Sequence, residues 1–181
     1  MAPVLETPRL TLHRLTPDDL DFMAALLGDP AVMGFWPEPF TREDAAAWIA
    51  TAQGDYARHG VGYWLARLRA TGEPIGQAGV LMRKVFETLE PSVGYIFAKR
   101  AWGQGLASEA ATACFRYGLD VLGAPRVLCM IRPENVPSLR VAARLRLMPV
   151  AHTVYADLAH LVFICDRTTP GFEQATSGAE C

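Results

Sequence analysis

Between a strand-like run that ends at Ala98 and an apolar helical face that begins at Leu106, the chain reads Arg100-Ala101-Trp102-Gly103-Gln104-Gly105. Two glycines one residue apart let the backbone turn tightly and approach a ligand. A helix that opens directly after them presents N–H groups without internal acceptors at the positive end of its dipole. Such a corner requires a strand that feeds a helix, which places the chain among α/β folds, and its natural occupant is a phosphate or pyrophosphate.

The periodicities on either side agree. Residues 10–15 alternate Leu10 and Leu12 with Thr11 and His13, which predicts a half-buried strand. Thr16, Pro17, Asp18 and Asp19 then open a helix with Leu20, Met23 and Leu27 on one face. Residues 28–40 hold three prolines around Phe35 and Trp36 and read as a loop with exposed aromatic material. Thr41 caps a second helix in which Ala45, Trp48, Ile49, Ala52 and Tyr56 recur at helical spacing until Gly60. Strands follow at 63–69 and 75–82, joined as a hairpin, then a polar stretch with Glu87 and Glu90, and a third strand at 92–98. A helix to about residue 122, a strand at 126–131, a short helix from its Asn135 cap to about 145, and strands at 150–155 and 161–166 complete the pattern. One mixed α/β domain over 1–167 is expected, with a loose tail at 168–181.

Composition narrows the partners. A chain of 181 residues with 51% hydrophobic and 20% charged residues builds one core and is not disordered. A net charge of −2 provides no basic field, so neither nucleic acid nor a membrane surface is expected as a partner. Cys114, Cys129, Cys165 and Cys181 stand far apart and form no metal-ligand pair, so no metal and no disulfide framework is expected. Reduced thiols, the absence of a signal-peptide pattern at the start and of a membrane-length apolar run predict a cytoplasmic protein. A dinucleotide fold is disfavoured because Ser108 stands where its third glycine should be and the bulky Lys99 to Trp102 separate strand from glycine; a P-loop lacks its GK[ST].

Arg100, Gly103 and Gly105 match the acetyl-CoA motif R/Q-x-x-G-x-G/A, and the segment resembles that of the GNAT acetyltransferase superfamily. The run Trp102-Gly103-Gln104-Gly105-Leu106-Ala107-Ser108-Glu109-Ala110, with Gly94-Tyr95, Asn135-Val136-Pro137-Ser138 and Glu6-Thr7-Pro8-Arg9-Leu10-Thr11-Leu12-His13, is similar to the branch that includes ribosomal-protein N-terminal acetyltransferases. The likeness spans residues 5–166.

The resemblance implies a mostly antiparallel sheet flanked by helices, in which a splayed parallel strand pair, 92–98 beside 126–131, forms an acetyl-CoA slot. Pantetheine would pair with the backbone of Tyr95, Ile96, Phe97 and Ala98, and pyrophosphate would rest on Gly103, Gln104, Gly105, Leu106 and Ala107, with Arg100 adding charge. Asn135 and Ser138 would hold the pantetheine end. The implied reaction is direct attack of a neutral primary amine on the thioester, with acetyl-CoA as co-substrate, and the enzyme a monomer or homodimer. The family often protonates the leaving thiolate with a tyrosine whose position is here Ala142. Ser138 is the candidate in its place, although a first-turn serine also serves the backbone. Glu87 and Glu90 are the candidate bases. A strong base is dispensable for an α-amine of pKa about 8, roughly a tenth neutral at pH 7. Trp36, Tyr95 and Tyr155 are the candidate acceptor-binding residues, with Phe35 and Trp64 also considered; the acceptor is a peptide N-terminus, a polyamine, an amino acid or an aminoglycoside. The missing tyrosine, and Met130 where some relatives carry a glutamate on the strand after the long helix, keep a second possibility open, an inactive acyl-CoA-binding or sensory domain. The family's usual glycine after the short last helix is here Arg146.

Overall fold

The computed structural model describes residues 2–85 and 87–173. Among them the strands are β1 (Leu5–Glu6), β2 (Leu10–Arg14), β3 (Tyr63–Leu68), β4 (Pro74–Val85), β5 (Thr88–Phe97), β6 (Arg126–Ile131), β7 (Pro149–Tyr155) and β8 (Leu158–Asp166), and the helices are α1 (Leu20–Leu27), α2 (Arg42–His59), α3 (Leu106–Arg116) and α4 (Val136–Arg144). The strands form one sheet in the order β1-β2-β3-β4-β5-β6-β8-β7. Neighbours are antiparallel except β5 and β6, which run parallel. The mixed, mostly antiparallel sheet flanked by helices is the one expected.

Successive strand residues point to opposite faces, and β3 shows which helix covers which. Tyr63 stacks on Trp48 of α2 with ring centroids 5.2 Å apart, whereas Trp64 meets Tyr117, just after α3, at 5.2 Å. Thus α2 lies on one face and α3 on the other. Trp64 is fully buried in the core and cannot wall a pocket. The helix starts follow their sequence signals: Thr16 with Asp19, and Thr41 with Asp44, each form a reciprocal capping box. Gly60 ends α2 in the left-handed region, and the Tyr56 hydroxyl accepts from the Leu15 N–H while donating to the Tyr63 carbonyl, which pins α2 to β2 and β3.

Several boundaries differ from expectation. The polar stretch after residue 82 is hairpin, with Arg83 opposite Glu90, Lys84 opposite Leu89 and Val85 opposite Thr88. The backbone ladder forms there whatever the polarity of its side chains, and Glu87 sits in the turn at φ 67°. The long helix is α-helical only to Arg116 and closes with a π turn at Tyr117–Val121. β8 starts early, at Leu158, because Ala156 and Asp157, both at positive φ, make the tight turn that joins it to β7. Residues 168–173 are not loose: Phe172 packs on Phe115 at 5.9 Å, and Arg116 donates to the Gly171 carbonyl at 2.6 Å. The remainder of that tail, 174–181, with Cys181, lies outside the described residues.

β5 and β6 are in register only at Ser92 and Leu128. Arg126 binds Glu90 at 2.5 Å and closes that end, and beyond Ser92 the strands part. The sheet therefore has a gap in its middle, open to both faces.

Candidate active site

The backbone of β5 borders the gap. Ala98 donates to Ile75 of the neighbouring strand at 2.9 Å, so Ile96 and Gly94 turn their N–H and C=O groups to β4, and Tyr95 and Phe97 turn theirs to the gap. The Phe97 carbonyl is taken by the Trp102 indole N–H at 2.8 Å. Among the described residues, this leaves the Tyr95 N–H and C=O and the Phe97 N–H without a partner and open to a ligand.

At the outer end of the gap, Gly103 and Gly105 stand at φ 75° and 77°, a conformation that glycine adopts freely. No described residue accepts a hydrogen bond from the N–H groups of Gly103, Gln104, Gly105, Leu106 or Ala107. The loop is braced from behind by Arg9, which donates to the Gln104 carbonyl at 2.9 Å and binds Glu109 at 2.6 Å, while Thr7 donates to Glu109 at 2.6 Å. Burial would raise the Glu109 carboxyl, but these bonds outweigh it and hold it below the usual range. This brace was missed in the sequence because its members lie about a hundred residues apart. Arg100, expected to add charge to the loop, is spent elsewhere: it binds Glu73 at 2.9 Å and the Pro74 carbonyl at 2.6 Å.

The inner end of the gap opens into a cavity of about 330 Å³. Ile96, Asn135 and Ser138 line it, as do Trp36, Tyr95 and Tyr155. Asn135 caps α4 by accepting from the Ser138 N–H at 3.1 Å, and no described residue accepts from its amide NH₂. Burial pushes the Tyr95 phenol up, and the Ser138 hydroxyl beside it pulls it partly back. Tyr95 therefore belongs to the α4 side of the gap. Trp36 packs edge-on against Phe40 and Trp48 across the opposite side, where burial raises Tyr63 to about 12. Gly94 makes room there, because a Cβ would lie 2.5 Å from the Tyr63 hydroxyl.

Glu87 and Glu90 do not reach this cavity. Glu87 pairs with Lys84 in the hairpin turn, and Glu90 is held by Arg126, whose hydrogen bond depresses its carboxyl, at the closed end. The sequence placed neither Arg83 nor His160 in the site, yet both line the cavity. His160 Nδ1 lies 2.8 Å from the Leu158 carbonyl, which can only accept, so Nδ1 carries a proton and Nε2 is the ring nitrogen left to exchange one with a ligand. Among the described residues no cluster of three or more His, Cys, Asp or Glu is placed to hold a metal, and no helix is long and apolar enough to cross a membrane.

Comparison with known proteins decides the family. The model of the acetyltransferase (GNAT) domain matches residues 9–148. This chain belongs to the GNAT acetyltransferases. It is similar to the uncharacterized protein YkkB of Bacillus subtilis (strain 168), 32% identical over 142 residues that cover 78% of this chain and 83% of that protein. The crystal structure of an acetyltransferase from Agrobacterium tumefaciens str. C58 superposes with a TM-score of 0.77 at 27% identity, covering 91% of this chain and 95% of the other. The aminoglycoside acetyltransferase AAC(6')-Ib in complex with coenzyme A shares the GNAT fold at a TM-score of 0.74 and 17% identity, over 88% of this chain and 96% of that one.

Proposed function

We propose that this GNAT domain moves the acetyl group of acetyl-CoA directly to a primary amine within the gap between β5 and β6. The observation that carries this is the free edge of β5 at Tyr95 and Phe97, with unspent loop amides at one end and a cavity at the other. The coenzyme A bound by the aminoglycoside acetyltransferase of the same fold supports the choice of co-substrate.

The chain's own groups then divide the work. Tyr95 and Phe97 pair with pantetheine as an added strand would. The amides of Gly103 to Ala107 and the positive end of α3 hold pyrophosphate. Asn135 donates to the pantetheine end through its free NH₂. The Tyr95 N–H stabilises the charge that develops on the acetyl oxygen. Ser138, with the neutral Tyr95 phenol beside it, supplies the proton to the departing thiolate. On the acceptor side Trp36 and Tyr155 wall the amine, and His160 Nε2 accepts its surplus proton.

The test is thiol release from acetyl-CoA with and without a panel of primary amines, with the acetylated amine identified by mass. Release that requires the amine is expected, and release without any acetylated amine would contradict the proposal. Ser138→Ala should lower kcat about a hundredfold, the scale of a lost general acid, with acetyl-CoA binding retained. Unchanged turnover would remove Ser138 from the mechanism.

A further inference from the structure

The acceptor side of the cavity is basic. Apart from tyrosines and the Cys129 thiol, the ionisable groups lining it are Arg83, Arg132 and His160, and no aspartate or glutamate is among them. Burial raises the Cys129 thiol to about 12, so it stays neutral. Arg132 spends its terminal nitrogens on the Phe35 carbonyl and Glu134, while its Nε is buried with no hydrogen-bond partner among the described residues.

Arg83 is more telling. It projects from β4, half-buried, and makes no salt bridge with any described residue. Its hydrogen bond is a 3.5 Å contact to the carbonyl of its neighbour Met82, and its guanidinium lies 5.9 Å from the centre of the Tyr155 ring. Glu90, the residue opposite it on β5, is occupied by Arg126. A cation in a concave aromatic wall with its cross-strand carboxylate diverted is a charge that lacks its counter-ion, and partly desolvated charges are ordinarily paired.

We propose that the acceptor carries its own carboxylate, as an amino acid does, and that Arg83 holds that carboxylate while the amine faces the thioester. The inference rests on the acetyl-transfer function proposed above and selects among the acceptors it leaves open. A guanidinium fork matches a carboxylate with two hydrogen bonds. A polyamine or aminoglycoside instead brings several positive charges into a cavity that offers only like charge, and is rejected. Pairing with Arg83 also cancels the field by which a neighbouring carboxylate keeps an amine protonated. In the step itself the amine nitrogen attacks the acetyl carbon, the C–N bond forms and the C–S bond breaks. The sulfur leaves as thiolate and takes a proton from the Ser138 side, and the surplus ammonium proton passes to His160. Exchange with solvent returns a proton to the Ser138 side and removes one from His160, and the carboxylate is unchanged.

The test offers acetyl-CoA with the common amino acids, the same amino acids as carboxamides, spermidine and an aminoglycoside. An amino acid should be acetylated with kcat/KM at least about tenfold above its amide, the difference lying in KM, as for a hydrogen bond to a charged group. Arg83→Gln should bring the acid down to the level of the amide, and Arg83→Lys should keep part of the preference. Amides, spermidine or the aminoglycoside acetylated as well as the free acids would overturn the inference. So would transfer to amines that carry no carboxylate with none to a carboxylate-bearing amine, and in that case the proposed function still stands. Absence of transfer to every amine, whether or not acetyl-CoA raises the melting temperature, would overturn the function, and the inference with it.

Discussion

Arg146 occupies a conformation that its side chain resists. It stands at φ 57° just past α4, where its N–H bonds the Ala143 carbonyl and the Leu147 N–H bonds the Ala142 carbonyl, the paired bonds of a Schellman motif. The left-handed region costs a side-chain-bearing residue about 1 kcal/mol relative to glycine. Arg146→Gly should therefore stabilise the protein by up to about that amount, less the extra freedom glycine has when unfolded, and raise the melting temperature by roughly 2–4 °C for a domain of this size. A lower melting temperature would contradict this. Positions of this kind are legible in sequence because turn chemistry is local: the Asn135 cap, the two glycines at 103 and 105 and the strain at Arg146 were all visible. Arg83 and His160 were not, because their meaning comes from strands β4 and β8, which only the parted sheet brings to one cavity.

At the scale of elements, β5 must be fixed at one end to part at the other. Glu90 does this through Arg126, across the ends of the parallel pair, and its carboxyl is held below the usual range by that guanidinium. A depressed carboxyl contributes stability that is present above its unfolded pKa, about 4.3, and lost as pH falls through its lower folded value. Glu90→Gln should destabilise the protein by about 1 kcal/mol at pH 7, given that Arg126 is partly exposed. The gap between wild type and variant in urea melts should shrink as pH drops below about 4. A gap that stays constant with pH would mean that the ion pair is not its source. This contact was hidden because charged residues after Met82 suggested a loop, whereas backbone pairing of β4 with β5 carries the hairpin regardless of side-chain polarity.

On the scale of the whole molecule, the gap connects two faces that different helices cover. The α4 side presents Ser138, Asn135 and Tyr95, and the α2 side presents Trp36, Trp48 and Tyr63. On the proposed function, co-substrate and acceptor would approach from opposite faces and meet in the middle of the sheet, an arrangement that suits direct transfer without an acyl-enzyme. The order of elements was readable from changes of period along the chain. The parting of β5 from β6 was not, since parallel strands with apolar character give no sign of where they separate; it entered only through the resemblance of the glycine corner. The most direct measurement is thermal unfolding with acetyl-CoA, CoA, NAD and ATP added in turn. At a hundred times its dissociation constant a ligand adds about 2.7 kcal/mol to the native state, a shift of several degrees here. A rise with acetyl-CoA and CoA but not with NAD or ATP is the predicted result; no rise with either CoA form would contradict the assignment of the gap as the site of acetyl transfer.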